Sequence, residues 1–164
     1  MVRRRVGTSL YAGVLFTVLG ALAWASGQPF IFPSLGPSAF ILAFDRRGER
    51  TRTYRVVGSH AIGAAAGFLA YIVFASGVTL TATPPAFSPE GIRLAASGVV
   101  SIVLTSWGMI ATETNHAPAC ATTLIVSLGL LSTPLAVATI LLSVVILVEV
   151  HQLTLGVFDR LVRA

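Results

Sequence analysis

The sequence predicts an all-α integral membrane protein with about six hydrophobic helical segments, two of them short and broken by proline and glycine. Three observations carry this prediction. Hydrophobic residues make up 55% of the 164 residues and charged residues only 10%, and the mean hydropathy is +0.86. So little polar surface cannot cover a water-soluble globule. The apolar residues also form runs, four of which approach or exceed the roughly 20 helical residues that cross a bilayer core.

The first half of the chain holds two long segments with a short one between them. The long segments cover residues 8–26 and about 56–81. The short one, residues 30–44, is interrupted at Pro33, Gly36 and Pro37. Because proline suits the first turn of a helix and disfavours helix in the residue before it, we expect extended backbone followed by a helix that begins at Pro37.

The second half has the same order of segments. A long segment covers residues 91–112, and a short apolar run at 124–131 follows the proline-interrupted stretch that begins at His116. A final long segment covers about 135–153. Proline at the start of each short segment is the main signal that these helices begin inside the membrane region.

The two halves predict an inverted repeat within one membrane domain, residues 1–164. An offset of 84 residues lays the first helix on 92–110, and Gly36 to Ala39 on Cys120 to Thr123. Three crossings per half, over residues 8–81 and 91–153, place the second copy upside down. Inverted repeats whose broken helices meet near the bilayer midplane are a transporter architecture.

Arginine predicts the topology, because the chain has no lysine and its net charge is +5. The arginines cluster at 3–5, in the loop from Arg46 to Arg55, and near the end at 160–163. Cytoplasmic loops are enriched in such charges. We therefore expect a multi-pass protein of the cell membrane with both termini and the loop in the cytoplasm. Topology and lipid headgroups explain the basic charge, so no nucleic-acid partner is predicted.

The starts of the two short helices are the candidate site. A helix that begins inside the membrane has N–H groups without partners and a partial positive charge, and such ends attract small anions. Ser38 and Thr122 would donate hydroxyls, while Gly36 and Ala119, beside Pro118, would present backbone N–H groups. The alternative is close packing with the hydroxyls bonded to helix carbonyls, and these residues taken alone favour it.

Two histidines and a stripe of small residues complete the candidate features. His116 precedes the second short helix and is suited to contact a ligand, couple a proton or cap the helix. His60 lies inside the third segment, where an ionisable group indicates a function or a specific partner. Arg55, one helical turn earlier, is a candidate partner. Ser59, Gly63 and Gly67 recur every four residues, a spacing that packs helices within a chain or in a homo-oligomer.

Enzymatic chemistry has little support in this sequence. It contains no set of nucleophile, base and orienting residue, no phosphate-binding or dinucleotide-binding loop and no two-histidine metal motif. The single cysteine, Cys120, is read as a small residue in a tightly packed helix. We predict no catalytic residue, cofactor or metal.

Three ordered motifs resemble the HPP family of integral membrane proteins. The stretch from His116 to Leu124 is similar to the family signature HPPAGATAL, and the stretches 33–44 and 54–60 are similar to two upstream family motifs. The matching positions are Gly36, Ser38, Arg55, His60, His116, Pro118 and Thr122. The chain departs from the family pattern at Ser59, Ala117, Cys120 and Thr123.

The resemblance implies a family that is usually described with about four membrane helices, some of whose plant and cyanobacterial members are associated with nitrite transport. We therefore expect a permease in the lipid bilayer for a small inorganic anion such as nitrite, bound by Gly36, Ser38, His60, His116, Pro118, Ala119 and Thr122. The alternative is a membrane scaffold or sensor that transports nothing and assembles through its small-residue helix faces.

Overall fold

Six helices form the part of the chain that the structure describes. This computed structural model describes the backbone of residues 2–163 and the side chains of residues 5–157. The helices are α1 (Val2–Ser26), α2 (Leu35–Phe44), α3 (Thr53–Ala70), α4 (Pro89–Ala111), α5 (Ala119–Ser127) and α6 (Pro134–Arg163). Four of them, α1, α3 with its continuation, α4 and α6, are long and apolar enough to cross a membrane. The predicted fold class is confirmed, including the two short helices α2 and α5.

Several helix ends differ from their predicted positions. Helix α2 begins at Leu35, two residues before Pro37, because proline is tolerated throughout a first turn whose N–H groups lack helical partners. Helix α3 continues as a π-helical turn, Tyr71–Ala75, and ends well before residue 81. Arg93 of α4 donates to the carbonyl oxygens of Phe74 and Ser76 at 3.0 and 2.8 Å. These bonds satisfy carbonyl groups that the end of the helix leaves open.

The two short helices occupy opposite halves of the bundle. Helix α2 runs toward the loop that contains Arg46, and we call that end of the bundle the arginine face. Helix α5 runs the other way, since the N–H of Leu80, in the loop after α3, donates to Leu128 O at the end of α5 at 3.0 Å. Each short helix therefore covers about half of the bundle, and an extended or looped segment before it covers the rest.

Contacts between helices follow a pattern that exchanges the two halves. Suppose that α1 is exchanged with α4, α2 with α5, and α3 with α6. The contacting pair α1–α2 then becomes α4–α5, which is also in contact. Likewise α2–α6 becomes α3–α5, α1–α6 becomes α3–α4, and α3–α6 becomes itself. An inverted repeat of two three-helix units would give this exchange of contact pairs. The bounds of the predicted half-repeats, 8–81 and 91–153, stay a prediction.

The stripe of small residues on α3 packs against α5 within the chain. A Cβ at Gly67 would lie 2.6 Å from the carbonyl oxygen of Thr123, and one at Gly63 would lie 2.8 Å from that of Ala119. Only glycine permits this approach of two backbones. The sequence left contact within the chain and contact in an oligomer open, and the structure shows the first.

The third histidine, His151, ties α6 to the arginine face. Its Nδ1 lies 2.9 Å from the hydroxyl of Tyr11 on α1, and its Nε2 lies 3.1 Å from the carbonyl oxygen of Arg46. The Arg46 guanidinium stacks 4.4 Å above the Tyr11 ring. Because α1, α6 and the arginine loop all contribute to this cluster, the early part of α1 and the late part of α6 lie at the same face.

Candidate functional site

The starts of the two short helices meet in the interior of the bundle. Ser34, immediately before α2, and Thr122, in the first turn of α5, are both fully buried. Their hydroxyl oxygens lie 2.7 Å apart. Helices α2 and α5 run in opposite directions from this point, so the proline-interrupted stretches before them meet at one site. We call the side chains that meet there, with those of His60 and His116, the buried cluster.

His60 of α3 bonds to a hydroxyl from each short helix. Its Nε2 lies 3.1 Å from Ser38 Oγ of α2, and its Nδ1 lies 2.7 Å from Thr122 Oγ1 of α5. The side chain has no exposed surface. One imidazole therefore joins three helices, and the burial of this polar ring is compensated by bonds at both nitrogens.

His116 brings a second imidazole to the same serine. Its Nε2 lies 3.0 Å from Ser38 Oγ, and the two imidazole centroids are 5.5 Å apart. The loop that carries His116 turns back sharply, with left-handed backbone at Glu113 and Asn115 (φ 54° and 34°). The hydroxyl of Ser59 accepts from the His116 backbone N–H at 3.1 Å and holds the loop against α3.

The contacts of Ser38 fix where the protons lie. Its hydroxyl is 3.1 Å from the carbonyl oxygen of Ser34, which can only accept, so Ser38 donates there. Both imidazoles must then donate from Nε2 to the Ser38 oxygen. The Nδ1 of His60 is consequently an acceptor for the Thr122 hydroxyl, and Thr122 in turn accepts from Ser34. This single arrangement satisfies every hydrogen bond among Ser34, Ser38, His60 and Thr122.

One nitrogen of this cluster has no hydrogen-bond partner among the described residues. It is Nδ1 of His116, in a side chain that is 1% exposed. The backbone of Arg50 is a polar neighbour of the ring. In the tautomer that Ser38 requires, Nδ1 carries a lone pair without a donor.

The structure brings four of the seven predicted binding residues into direct contact: Ser38, His60, His116 and Thr122. Pro118 and Ala119 are buried next to them, at the end of the loop and the start of α5. Gly36 is exposed, and a Cβ placed there would meet no atom within 4 Å. The site therefore lies on the buried side of α2, and no contact supports the predicted role of Gly36, which was to present its backbone N–H to a ligand.

The expected unpaired N–H groups at the start of α5 are not there. The N–H groups of Ala119, Cys120 and Ala121 donate to the carbonyls of His116, Ala117 and Pro118 at 3.0, 3.0 and 3.1 Å. The prediction of a free N–H at Ala119 is wrong, because the tight turn before α5 supplies acceptors that the sequence did not reveal. Side chains, rather than backbone, provide the donors of this cluster.

Two members of the cluster, Ser34 and Ser59, were not predicted. Ser34 immediately precedes a short helix, and Ser59 directly precedes His60, so their positions were the available signals. Arg55, predicted as a companion of His60, instead bonds to Tyr54 and pairs with Glu49 at 3.3 Å. No group of three His, Cys, Asp or Glu among the described residues is placed to hold a metal ion.

The cluster is suited to hold an oxygen atom that accepts hydrogen bonds. Two N–H groups, from His60 and His116, converge on one point, which the Ser38 oxygen fills. Ser34, Ser38, His60 and Thr122 have no exposed surface, and His116 is 1% exposed. The structure thus shows the site closed to both faces, with a serine hydroxyl at the acceptor position.

Comparison with known proteins identifies the family of the whole chain. The family described as "HPP, transmembrane region" matches residues 2–158. No curated protein and no solved structure matches the chain. The match covers α1 to α5, most of α6 and the buried cluster, and the chain belongs to the HPP transmembrane family.

Proposed function

We propose that this membrane protein is a permease for a small inorganic oxyanion such as nitrite. The observation that carries the proposal is the convergence of two imidazole N–H groups on Ser38 Oγ, at 3.1 and 3.0 Å, where the short helices meet. When the site opens to one face of the membrane, an oxygen of the anion takes the position that Ser38 Oγ occupies in the closed structure. Donors that are already aimed at that position need little rearrangement to bind it.

The surroundings of the site support the same proposal. Buried ionisable side chains within a membrane domain are costly and mark substrate or ion pathways. This cluster lies between two units whose contacts exchange as in a two-fold repeat, the place where transporters with inverted repeats bind their substrates. Once its oxygen is displaced, the Ser38 hydroxyl can donate to the anion, while the Thr122 hydroxyl keeps donating to Nδ1 of His60 and so keeps Nε2 of that ring a donor.

Transport requires the site to open first to one face of the membrane and then to the other. We propose that this opening separates the starts of α2 and α5. Ser34 Oγ and Thr122 Oγ1, 2.7 Å apart, form the contact that has to break. A hydroxyl pair exchanges readily with water once it is exposed, since such a bond contributes only about 1 kcal/mol net. Nitrite is named by the family resemblance, and the donor geometry fits any small oxyanion.

Uptake into proteoliposomes tests the proposal. Purified protein is reconstituted and offered nitrite, nitrate, formate and chloride, with protein-free liposomes giving the passive flux. We expect saturable uptake of at least one oxyanion, and a drop of tenfold or more in the Ser38→Ala/Thr122→Ala variant. The matched control is Ser101→Ala, because Ser101 is equally buried but bonds only to the carbonyl of Gly98 in its own helix.

Two results contradict the proposal. Uptake that is unchanged in the Ser38→Ala/Thr122→Ala variant shows that the anion binds elsewhere. The absence of flux for every anion in the panel, with protein that elutes as a single folded species, removes the transport function itself.

A further inference from the structure

Nδ1 of His116, which has no hydrogen-bond partner among the described residues, can accept a proton. In the neutral ring this Nδ1 is a buried acceptor without a hydrogen-bond donor, and the backbone of Arg50 lies near the ring. A peptide carbonyl offers lone pairs, and an N–H at Nδ1 can donate to it. Adding one proton therefore turns the one unsatisfied polar atom of the cluster into a donor, while the Nε2 bond to Ser38 is retained.

The described groups around His116 include no negative partner for such a charge. Helix α2 contributes Ser38, and α3 contributes Ser59 and the neutral ring of His60. The arginine loop contributes the backbone of Arg50. Glu113, on the same loop as His116, is exposed, and its charge interacts with that of Arg55. Among the described residues no carboxylate forms an ion pair with His116.

We propose that Nδ1 of His116 binds the proton that accompanies the anion, so that one proton and one anion cross the membrane together. The inference rests on the permease function proposed above. A proton from water at the arginine face forms the N–H bond at Nδ1, and the O–H bond of the hydronium ion that delivers it breaks. The anion, bound at the Nε2 side of the same ring, is the missing counter-charge.

The energetic reason is that each ion makes the burial of the other less costly. A single charge in a medium of low dielectric constant carries a large desolvation penalty, which attraction to an opposite charge at hydrogen-bond distance offsets. The imidazolium binds the anion more tightly than the neutral ring does, and by linkage the anion favours protonation of the ring to the same degree. Release of the anion at the far side then releases the proton.

The coupling has a quantitative consequence. One-to-one movement of a proton and a monovalent anion carries no net charge, so the membrane potential has no effect on the final distribution. At equilibrium the anion accumulates about tenfold on the alkaline side for each unit of pH difference, because each unit is worth 1.4 kcal/mol. Uncoupled anion movement responds to the potential instead and ignores the pH difference.

Proteoliposomes with an internal pH dye and a clamped potassium potential separate these cases. Nitrite and nitrate are each supplied outside, and protein-free liposomes give the passive entry of nitrous acid. We expect one proton to enter with each anion, a tenfold accumulation for each pH unit, and no effect of the potential. In His116→Gln the amide still donates to Ser38 but cannot be protonated. We therefore expect weaker uptake, and the uptake that remains should cause no acidification and should depend on the potential.

The outcomes are distinct for the two proposals. Wild-type uptake that follows the potential without acidification overturns the proton coupling and leaves the permease function in place. One-to-one acidification by His116→Gln overturns the assignment to His116. The absence of any anion uptake overturns both. If the variant does not fold or takes up no anion, ¹⁵N spectra of the wild type decide, since addition of nitrite must protonate Nδ1 of His116 and an unchanged resonance contradicts the inference.

Discussion

Ser38 and Thr122 bond to opposite nitrogens of the same imidazole, that of His60, at 3.1 and 2.7 Å. The two residues lie at equivalent positions of the short helices, offset by 84 residues in the chain. A single asymmetric side chain from α3 thus connects the two halves of the fold at their common centre. His116 adds a second N–H donor to Ser38 but none to Thr122. The α2 half of the site therefore differs chemically from the α5 half.

Replacing Thr122 by valine should destabilise the fold by about 1–3 kcal/mol, the cost of leaving a buried polar group unsatisfied. Valine keeps the shape but removes the hydroxyl that links Ser34 to Nδ1 of His60. Thr122→Ser keeps the hydroxyl and is the control. Denaturation in mixed micelles gives both free energies of unfolding. Equal stability of the two variants would show that the hydrogen-bond chain is not formed in the protein.

Replacing Gly67 by alanine should lower the free energy of unfolding by about 1–3 kcal/mol, as overpacking does. The added methyl group meets the backbone oxygen of Thr123 at 2.6 Å, which a rotamer change cannot relieve. Gly13→Ala is the control, because a Cβ there meets nothing within 4 Å. Thermal unfolding and size-exclusion chromatography are measured together. The scaffold alternative predicts a change of oligomeric state with unchanged stability of the subunit, whereas contact within the chain predicts the reverse.

Labelling of single cysteines tests the orientation in the membrane. In a Cys120→Ala background, cysteine is placed at Phe87, in the loop between the halves, or at Arg50, in the arginine loop. We expect a membrane-impermeant maleimide to label position 87 on intact cells and position 50 only after permeabilisation, because positive charge is retained in the cytoplasm. Labelling of position 50 on intact cells would reverse the orientation and place His116 toward the outside.

Sequence patterns predicted the elements of this fold because the bilayer imposes simple rules. Apolar length gave the four long helices, and the prolines at 37 and 118 marked the starts of α2 and α5 to within two residues. The end of α3 was predicted six residues too late. Residues 76–81 carry no charge and include Val78 and Leu80, and the left-handed turn at Gly77 (φ 83°) was not recognised as the end of the helix.

Four members of the buried cluster were singled out from the sequence, but their bonding was not. Ser38, His60, His116 and Thr122 were singled out by residue type and depth, yet which hydroxyl meets which nitrogen depends on the packing of three helices. The turn that pairs the N–H of Ala119 likewise depends on the path of the loop from Glu113. Local sequence fixes neither, because both follow from contacts between distant segments.

The central claim is that an anion oxygen takes the position of Ser38 Oγ between two imidazole N–H groups. The chain has three histidines, and His151, bonded to Tyr11 and Arg46, is an internal control away from the cluster. ¹⁵N spectra of histidine-labelled protein in lipid, assigned with single His→Gln variants, are recorded with and without nitrite. We predict that the Nε2 resonances of His60 and His116 shift together on nitrite addition while those of His151 stay fixed. Unchanged resonances for both His60 and His116 at saturating nitrite would contradict the account.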